Sequence, residues 1–290
     1  GNLANASSWI PNTMAVQLLA PEEVWNGLSL RRYEMDWSAI GDEISVWIGD
    51  YADKAGISTL VIGVSGGIDS AVTSTLSART GMDTIVLNMP IHQDPSQYEL
   101  SNRHIEWLQS NFDNVEALTI DLSGTYDAFC EGLSEQQISA LAMANSRARL
   151  RMSTLYVVAT SSDGIVVGTG NKVEDFGVGF FTKYGDGGVD ISPIADLYKS
   201  EVYALADALG VIQEIQDAAP TDGLWNDGRT DEDQLGATYA ELEWAMEEVK
   251  KPSGREHSAR EEEVLERYLE LNAANSHKMN PIPVFLLNRR

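Results

Sequence analysis

Cysteine is almost missing from this chain: there is one, Cys130, in 290 residues. A single thiol cannot close an internal disulfide, so the staples of small secreted domains are excluded. No apolar stretch approaches the roughly 18 residues that a membrane-spanning helix needs, and the N-terminal stretch lacks the basic-then-apolar order of a secretory signal. Positive charge is the scarcest resource. Twenty Lys and Arg face 44 Asp and Glu, a net charge of −24, and only 7 of the twenty are lysine. Such a chain has little with which to neutralise a phosphate backbone, which argues against a general nucleic-acid surface. A cytoplasmic enzyme is expected. If its substrate is an anionic nucleotide, the few cations must be concentrated at the site.

What is present is a globular pattern, with 43% hydrophobic and 22% charged residues. After an aperiodic arm over residues 1–33, the spacing of Ile40, Ile44, Trp47, Ile48 and Tyr51 predicts a helix from Met35 to Ala55. Continuous apolar runs at Thr59–Val64, Thr84–Met89, Val115–Ile120 and Gly164–Val167 read as buried parallel strands. Helices are expected between them, through Ala78, over Ser96–Ser110 and over Ser134–Thr160. Strands alternating with helices imply an α/β fold with an open, mainly parallel, doubly wound sheet, extended here by C-terminal helices. Those helices are read at Leu197–Leu209, at Leu235–Val249 with a start near Thr230, and at Glu256–Asn272. The loops SGGIDS, MPIHQDP and GTGNKVED each leave a strand end, where ligands bind in such sheets.

GVSGGIDS, Gly63 to Ser70, is the sharpest signal. A strand, a glycine-rich turn and a helix start make an anion site, because glycine lets backbone N–H groups approach phosphate. Gly63, Val64, Ser65, Gly66, Gly67, Ile68, Asp69 and Ser70 are therefore candidate phosphate contacts. Asp69 would repel phosphate unless a cation intervenes, so an Mg²⁺ ligand is its natural role. The pattern is neither the Walker loop nor the dinucleotide GxGxxG. An ordinary strand-to-helix turn is the bland alternative.

SGGIDS resembles the pyrophosphate loop of the N-type ATP pyrophosphatases, whose fold is adenine nucleotide alpha hydrolase-like. The order of NSRARLRM (Asn145–Met152), GTGNKVED (Gly168–Asp175), GFFTKYGDGGVDISP (Gly179–Pro193), APTDGLW (Ala219–Trp225) and SHKM (Ser276–Met279) is similar to that of ammonia-dependent NAD synthetases. The likeness runs from about Met35 to Lys278, within an expected synthetase domain over residues 34–290. It implies amidation of nicotinic acid adenine dinucleotide (deamido-NAD) to NAD. The route is an adenylated carboxylate, with release of AMP and pyrophosphate, in a homodimer with sites at its interface.

The resemblance also implies residue roles. Asp69 and Glu174 bind Mg²⁺; Thr169, Lys199 and Thr221 contact ATP; Arg149, Lys183, Asp190, His277 and Lys278 contact the dinucleotide. Lys199 and Asp186 are the catalytic candidates, Asp186 because a carboxylate can hold ammonium and relay its proton. Phe180 or Phe181 stacks on the pyridine ring or belongs to the core. Gln93, or else Gln97, touches adenine. Arg147, Arg149 and Arg151 alternate on a helix and cannot all face one ligand, which leaves Arg147 and Arg151 as structural candidates. Lys199 poses a conflict, since a cation at a helix start meets the positive end of the dipole. Glutamine-dependent relatives carry an added amidase domain with a catalytic Cys. Cys130 lies within the synthetase region, so ammonia is the expected nitrogen source.

Overall fold

The computed structural model describes residues 35–133, 136–221 and 230–288. The expected arm over residues 1–33, the last four residues of APTDGLW, and Ser134, the expected start of a helix, lie outside them. Four parallel strands, β1 (Thr59–Gly63), β2 (Asp83–Asn88), β3 (Val115–Thr119) and β4 (Gly164–Val166), form a sheet of order β3-β2-β1-β4. Thr59 registers with both Asp83 and Gly164, placing β1 between β2 and β4. The chain steps outward from β1 to β3, then returns to the other side of β1. That reversal sets the topological switch between β1 and β4, where a crevice opens beyond the strand ends.

Alternation along the strands divides the core. Leu60 and Ile62 pack with α1 (Trp37–Ala55), α2 (Ile68–Arg79) and α6 (Lys199–Leu209), through Ile48, Ala52, Leu76, Val202 and Leu205. Val61 points to the opposite face, with Leu87, Met89 and Val166, where Leu150 and Leu155 of α5 (Ala140–Ser161) cover it. Between β2 and β3 the chain forms α3 (Pro95–Asn111), whose Ile105 and Leu108 meet Val86 and Val115. A short helix, α4 (Ser123–Gly132), precedes α5 and carries the half-buried Cys130. Beyond α6 come α7 (Gln213–Gln216), α8 (Asp231–Leu235), α9 (Tyr239–Lys250) and α10 (Ala259–Met279).

Three helix boundaries differ from the sequence expectation, each because of a cap. The long helix begins only at Ala140, where the Ser139 side chain accepts from Ala142 N at 3.2 Å. The apolar stripe read as Leu235–Val249 is interrupted by Gly236, in the left-handed conformation with φ 77°, and Thr238 restarts it with a capping box. The last helix starts at the Ser258–Glu261 capping box and runs on to Met279, which brings His277 and Lys278 into its final turn. Among the described residues, no helix is long and apolar enough to cross a membrane.

His104 on α3 is fully buried, hydrogen-bonded to Ser74 Oγ at 2.9 Å and stacked on Trp107. Burial pushes its pKa from 6.5 down to about 4. Below pH 6.5 the unfolded chain takes up a proton that the folded chain refuses, so this group removes stability as pH falls toward 4. The loss amounts to about 3 kcal/mol. His104→Gln should flatten this part of the profile, as read by urea unfolding across that pH window. An unchanged slope would show that His104 does not titrate there.

Candidate active site

The glycine loop follows β1 directly. Gly66 has φ 88°, and a Cβ there would lie 2.9 Å from Gln97 O and 3.1 Å from Ser101 N, so only glycine lets the loop pass against α3. Two serines tie the turn: Ser70 Oγ donates to Gly67 O at 2.9 Å and accepts from Ser65 N at 3.2 Å. No side chain caps the start of α2, which leaves its first N–H groups facing the crevice. The turn is thus shaped by backbone geometry, with open N–H groups at its rim.

On the other side of the switch, the chain leaving β4 forms a π-helical turn, Lys172–Val178. Asn171 caps it, its Oδ1 accepting from Val173 N at 3.0 Å and Glu174 N at 3.1 Å. This turn aims Glu174 at Asp69. Between them lies Lys199, the first residue of α6, with Nζ 2.5 Å from Asp69 Oδ2 and 2.9 Å from Glu174 Oε1. The lysine side chain is 4% exposed and each carboxylate 16%. Burial alone would lower the lysine pKa, but the Asp69 and Glu174 charges outweigh it and hold the ammonium well above its ordinary value. The two carboxylates resolve the conflict of a cation at a helix start. Asn171 Nδ2 donates to Asp69 Oδ1 at 3.1 Å, and Tyr239 donates its hydroxyl to Glu174 Oε1 at 2.5 Å.

This centre opens into a cavity of about 930 Å³, near the upper end of small-molecule sites. Its lining includes the whole Gly63–Ser70 loop, Thr169, Glu174, Lys199 and Thr221, together with Arg149, Phe180, Lys183, Asp186, His277 and Lys278. The far wall is the GFFTKYGDGG loop, clamped by α10. Lys278 Nζ donates to Phe181 O at 2.8 Å, Lys183 Nζ to His277 O at 2.5 Å, and Asn275 Nδ2 to Val178 O at 2.9 Å. Arg149 Nη2 reaches Lys183 O at 3.3 Å. Phe180 and Phe181 both line the cavity, and Lys278 sits 5.2 Å above the Phe181 ring centre.

Asp186 faces the cavity while its Oδ1 accepts from Thr182 N at 2.9 Å. Its protein surroundings desolvate the carboxyl and push it up, with Glu174 adding to the rise. Asp175, beside Glu174 on the π-turn, also lines the cavity. Burial, then Asp186, Glu174 and Asp69, push it well above the usual carboxylate range. Sequence reasoning passed over Asp175 because only the π-helical backbone turns two consecutive acidic residues into one cavity.

The three arginines of α5 divide differently from expectation. Arg149 and Arg151 both reach the cavity, whereas Arg147 lies over the Tyr126 ring. Arg151 is half-buried, and desolvation lowers it to about 10; it donates to Met89 O at 3.0 Å and Gln93 Oε1 at 2.9 Å. Gln93 in turn donates to Gln97 Oε1 at 2.7 Å, and both amides line the cavity. Asp190 stands apart from the others and is absent from the cavity wall. Its segment lengthens the sheet beside β4, with Asp190 N bonded to Val166 O and Val167 bridged to Ile191. The Asp190 carboxylate accepts from Val166 N at 2.8 Å and from the Tyr156 hydroxyl at 3.0 Å. In this subunit it anchors the strand end.

Comparison with known proteins converges on one family. The NAD synthase family model matches residues 40–282. An NH(3)-dependent NAD(+) synthetase of Methanosarcina acetivorans is 38% identical, over 77% of this chain and 86% of its own. That of Alkaliphilus metalliredigens is 37% identical, over 83% and 96%. Among solved structures, NMN synthetase from Francisella tularensis superposes with a TM-score of 0.77 at 34% identity, over 88% of this chain and all of that one. NH3-dependent NAD synthetase from Campylobacter jejuni gives 0.71 at 25% identity, over 87% of this chain and all of that one. The matched span holds the sheet, the glycine loop, the carboxylate–lysine centre and the clamp of α10, and the chain belongs to the NAD synthase family of carbon–nitrogen ligases.

Proposed function

We propose that this enzyme activates the carboxylate of deamido-NAD with ATP and amidates it with ammonia, giving NAD, AMP and pyrophosphate. The observation that carries this is a single cavity with different ends. One end has the phosphate cradle and the Asp69–Lys199–Glu174 centre; the other has Arg149, Lys183 and Lys278 around Phe180 and Phe181. ATP would lie along the glycine loop, with Thr169, Thr221 and Gln93 or Gln97 at its edges. The dinucleotide would present its carboxylate from the cationic end, where His277 also borders the cavity.

The donor set fits a hard cation. Two carboxylates from separate loops already converge on an ammonium, which stands in for a metal ion. Asp69 and Glu174 would hold Mg²⁺, which when bound supplies charge neutralisation for the phosphates. Lys199 would then be free to turn toward a phosphate oxygen and offset the charge that develops on it. Asp186, whose carboxylate burial makes a stronger base, is suited to hold ammonium and accept the proton it loses on becoming a nucleophile. The Asp186 charge in turn helps push Asp175 up, after burial.

A homodimer is supported by α5, a helix of 22 residues whose buried positions are only Ala144, Ala148 and Ala159. Leu141 and Val157 on that helix, with Phe129 and Ile138 nearby in sequence, are exposed. Exposed apolar side chains of this kind are suited to contact with a second copy. The single cysteine and the want of basic surface fit a cytoplasmic enzyme without a nucleic-acid partner.

A second substrate remains in view because the Francisella protein superposes well: the mononucleotide acid, giving NMN. Turnover of deamido-NAD and of nicotinic acid mononucleotide should be compared with ammonium and with glutamine. Ammonium-dependent NAD and AMP formation, with little use of the mononucleotide or of glutamine, is the expected result. Preference for the mononucleotide would reassign the substrate.

Lys199→Met should lower the urea unfolding free energy at pH 7 by about 3–5 kcal/mol, because it leaves two buried carboxylates without their cation. Added Mg²⁺ should recover part of that loss. Equal stability of the variant, or recovery that does not depend on Mg²⁺, would contradict the assignment of this centre.

A further inference from the structure

Two donors at the cation centre reach both carboxylates and one does not. Lys199 bridges Asp69 and Glu174, the Asn171 amide donates to Asp69 and also interacts with Glu174, and the Tyr239 hydroxyl reaches Glu174 but not Asp69. The distinction matters because an ammonium and a metal ion cannot occupy the same space between those oxygens. Metal loading therefore requires Lys199 to leave, and each carboxylate then keeps only neutral partners, Asn171 for Asp69 and Tyr239 with Asn171 for Glu174.

Tyr239 is well placed for that duty. It opens α9, it is buried, and its backbone N–H donates to Glu232 Oε1 at 2.8 Å. Its ring lies under Lys199, with Nζ 4.9 Å from the ring centre. Its hydroxyl is 2.5 Å from Glu174 Oε1 and 3.3 Å from Asp231 Oδ2. A phenol has one proton to give, and the shorter contact shows that Glu174 receives it, with Asp231 as the weaker rival acceptor. A backbone tether, a packed ring and a directed hydroxyl leave little rotamer freedom. Such a group can hold a carboxylate without the help of a neighbouring cation.

We propose, resting on the Mg²⁺ assignment above, that Tyr239 is a positioning residue. Its hydroxyl keeps Glu174 aimed at the cation centre while Lys199 gives way to the metal. The outer partner of a metal ligand acts by orienting that ligand, so its loss weakens metal binding before it affects binding elsewhere. The dinucleotide contacts, Arg149, Lys183 and Lys278, do not depend on it.

The test is a Mg²⁺ titration of the full chain in the presence of α,β-methylene-ATP, which cannot be cleaved at the reacting bond. The thermal unfolding midpoint is followed for wild type, Tyr239→Phe and Asp231→Asn. Tyr239→Phe should bind Mg²⁺ about tenfold or more weakly, with its KM for deamido-NAD unchanged. Asp231→Asn leaves the bond to Glu174 in place and should bind Mg²⁺ as wild type does. Equal Mg²⁺ affinity in wild type and Tyr239→Phe would overturn the role. So would an Asp231→Asn variant as weak as Tyr239→Phe, since general loosening of the packing would then explain both. If Tyr239→Phe is not recovered folded, the Asp231→Asn arm decides, because weakened Mg²⁺ binding there contradicts the role. Absence of any Mg²⁺-dependent shift in wild type would instead remove the Mg²⁺ assignment, and the role of Tyr239 with it.

Discussion

Two buried carboxylates that face each other need a cation between them. Much of this site follows from that requirement. Asp69 and Glu174 come from loops on either side of the topological switch, one after β1 and one after β4. Their convergence follows from the strand order, and without a positive charge it would be strongly unfavourable. Lys199 meets the need at the start of α6, where burial and helix dipole would otherwise disfavour it. On the proposed reading, the same demand would make the centre receptive to a divalent ion carried in with nucleotide.

Charge economy extends the point. A chain of net charge −24 repels nucleotides in general, yet three of its seven lysines, Lys183, Lys199 and Lys278, line one cavity. Arg149 and Arg151 join them there. The cavity wall is therefore close to charge balance on an acidic chain, since Asp69, Glu174, Asp175, Asp186 and Asp231 also line it. Within it, Asp175 and Asp186 are desolvated carboxyls with raised affinity for protons.

The sheet and the phosphate loop were legible in the sequence because their signals are local. Continuous apolar runs mark strands buried on both faces, and adjacent glycines before a helix mark an anion turn. The resemblance carried by GTGNKVED and KYGDGG pointed to Glu174, Lys183 and Asp186, all of which reach the cavity. What stayed hidden depends on distance along the chain or on unusual backbone. Tyr239 meets Glu174 across 65 positions, and no periodicity announces such a pairing. Asp175 enters the cavity only because residues 172–178 are π-helical rather than α-helical or extended. Asp190 matched a motif position but is held at the sheet edge by β4, a pairing invisible to pattern. The late start of α5 and the break at Gly236 are capping events that hydrophobic spacing alone overruns.

The most direct measurement is anomalous scattering from crystals grown with Mn²⁺ and α,β-methylene-ATP. The expected result is a metal peak between the Asp69 and Glu174 carboxylates, with Lys199 Nζ withdrawn from both and turned to a phosphate oxygen. A peak elsewhere in the cavity, or Lys199 still seated between the two carboxylates with nucleotide bound, would contradict the account.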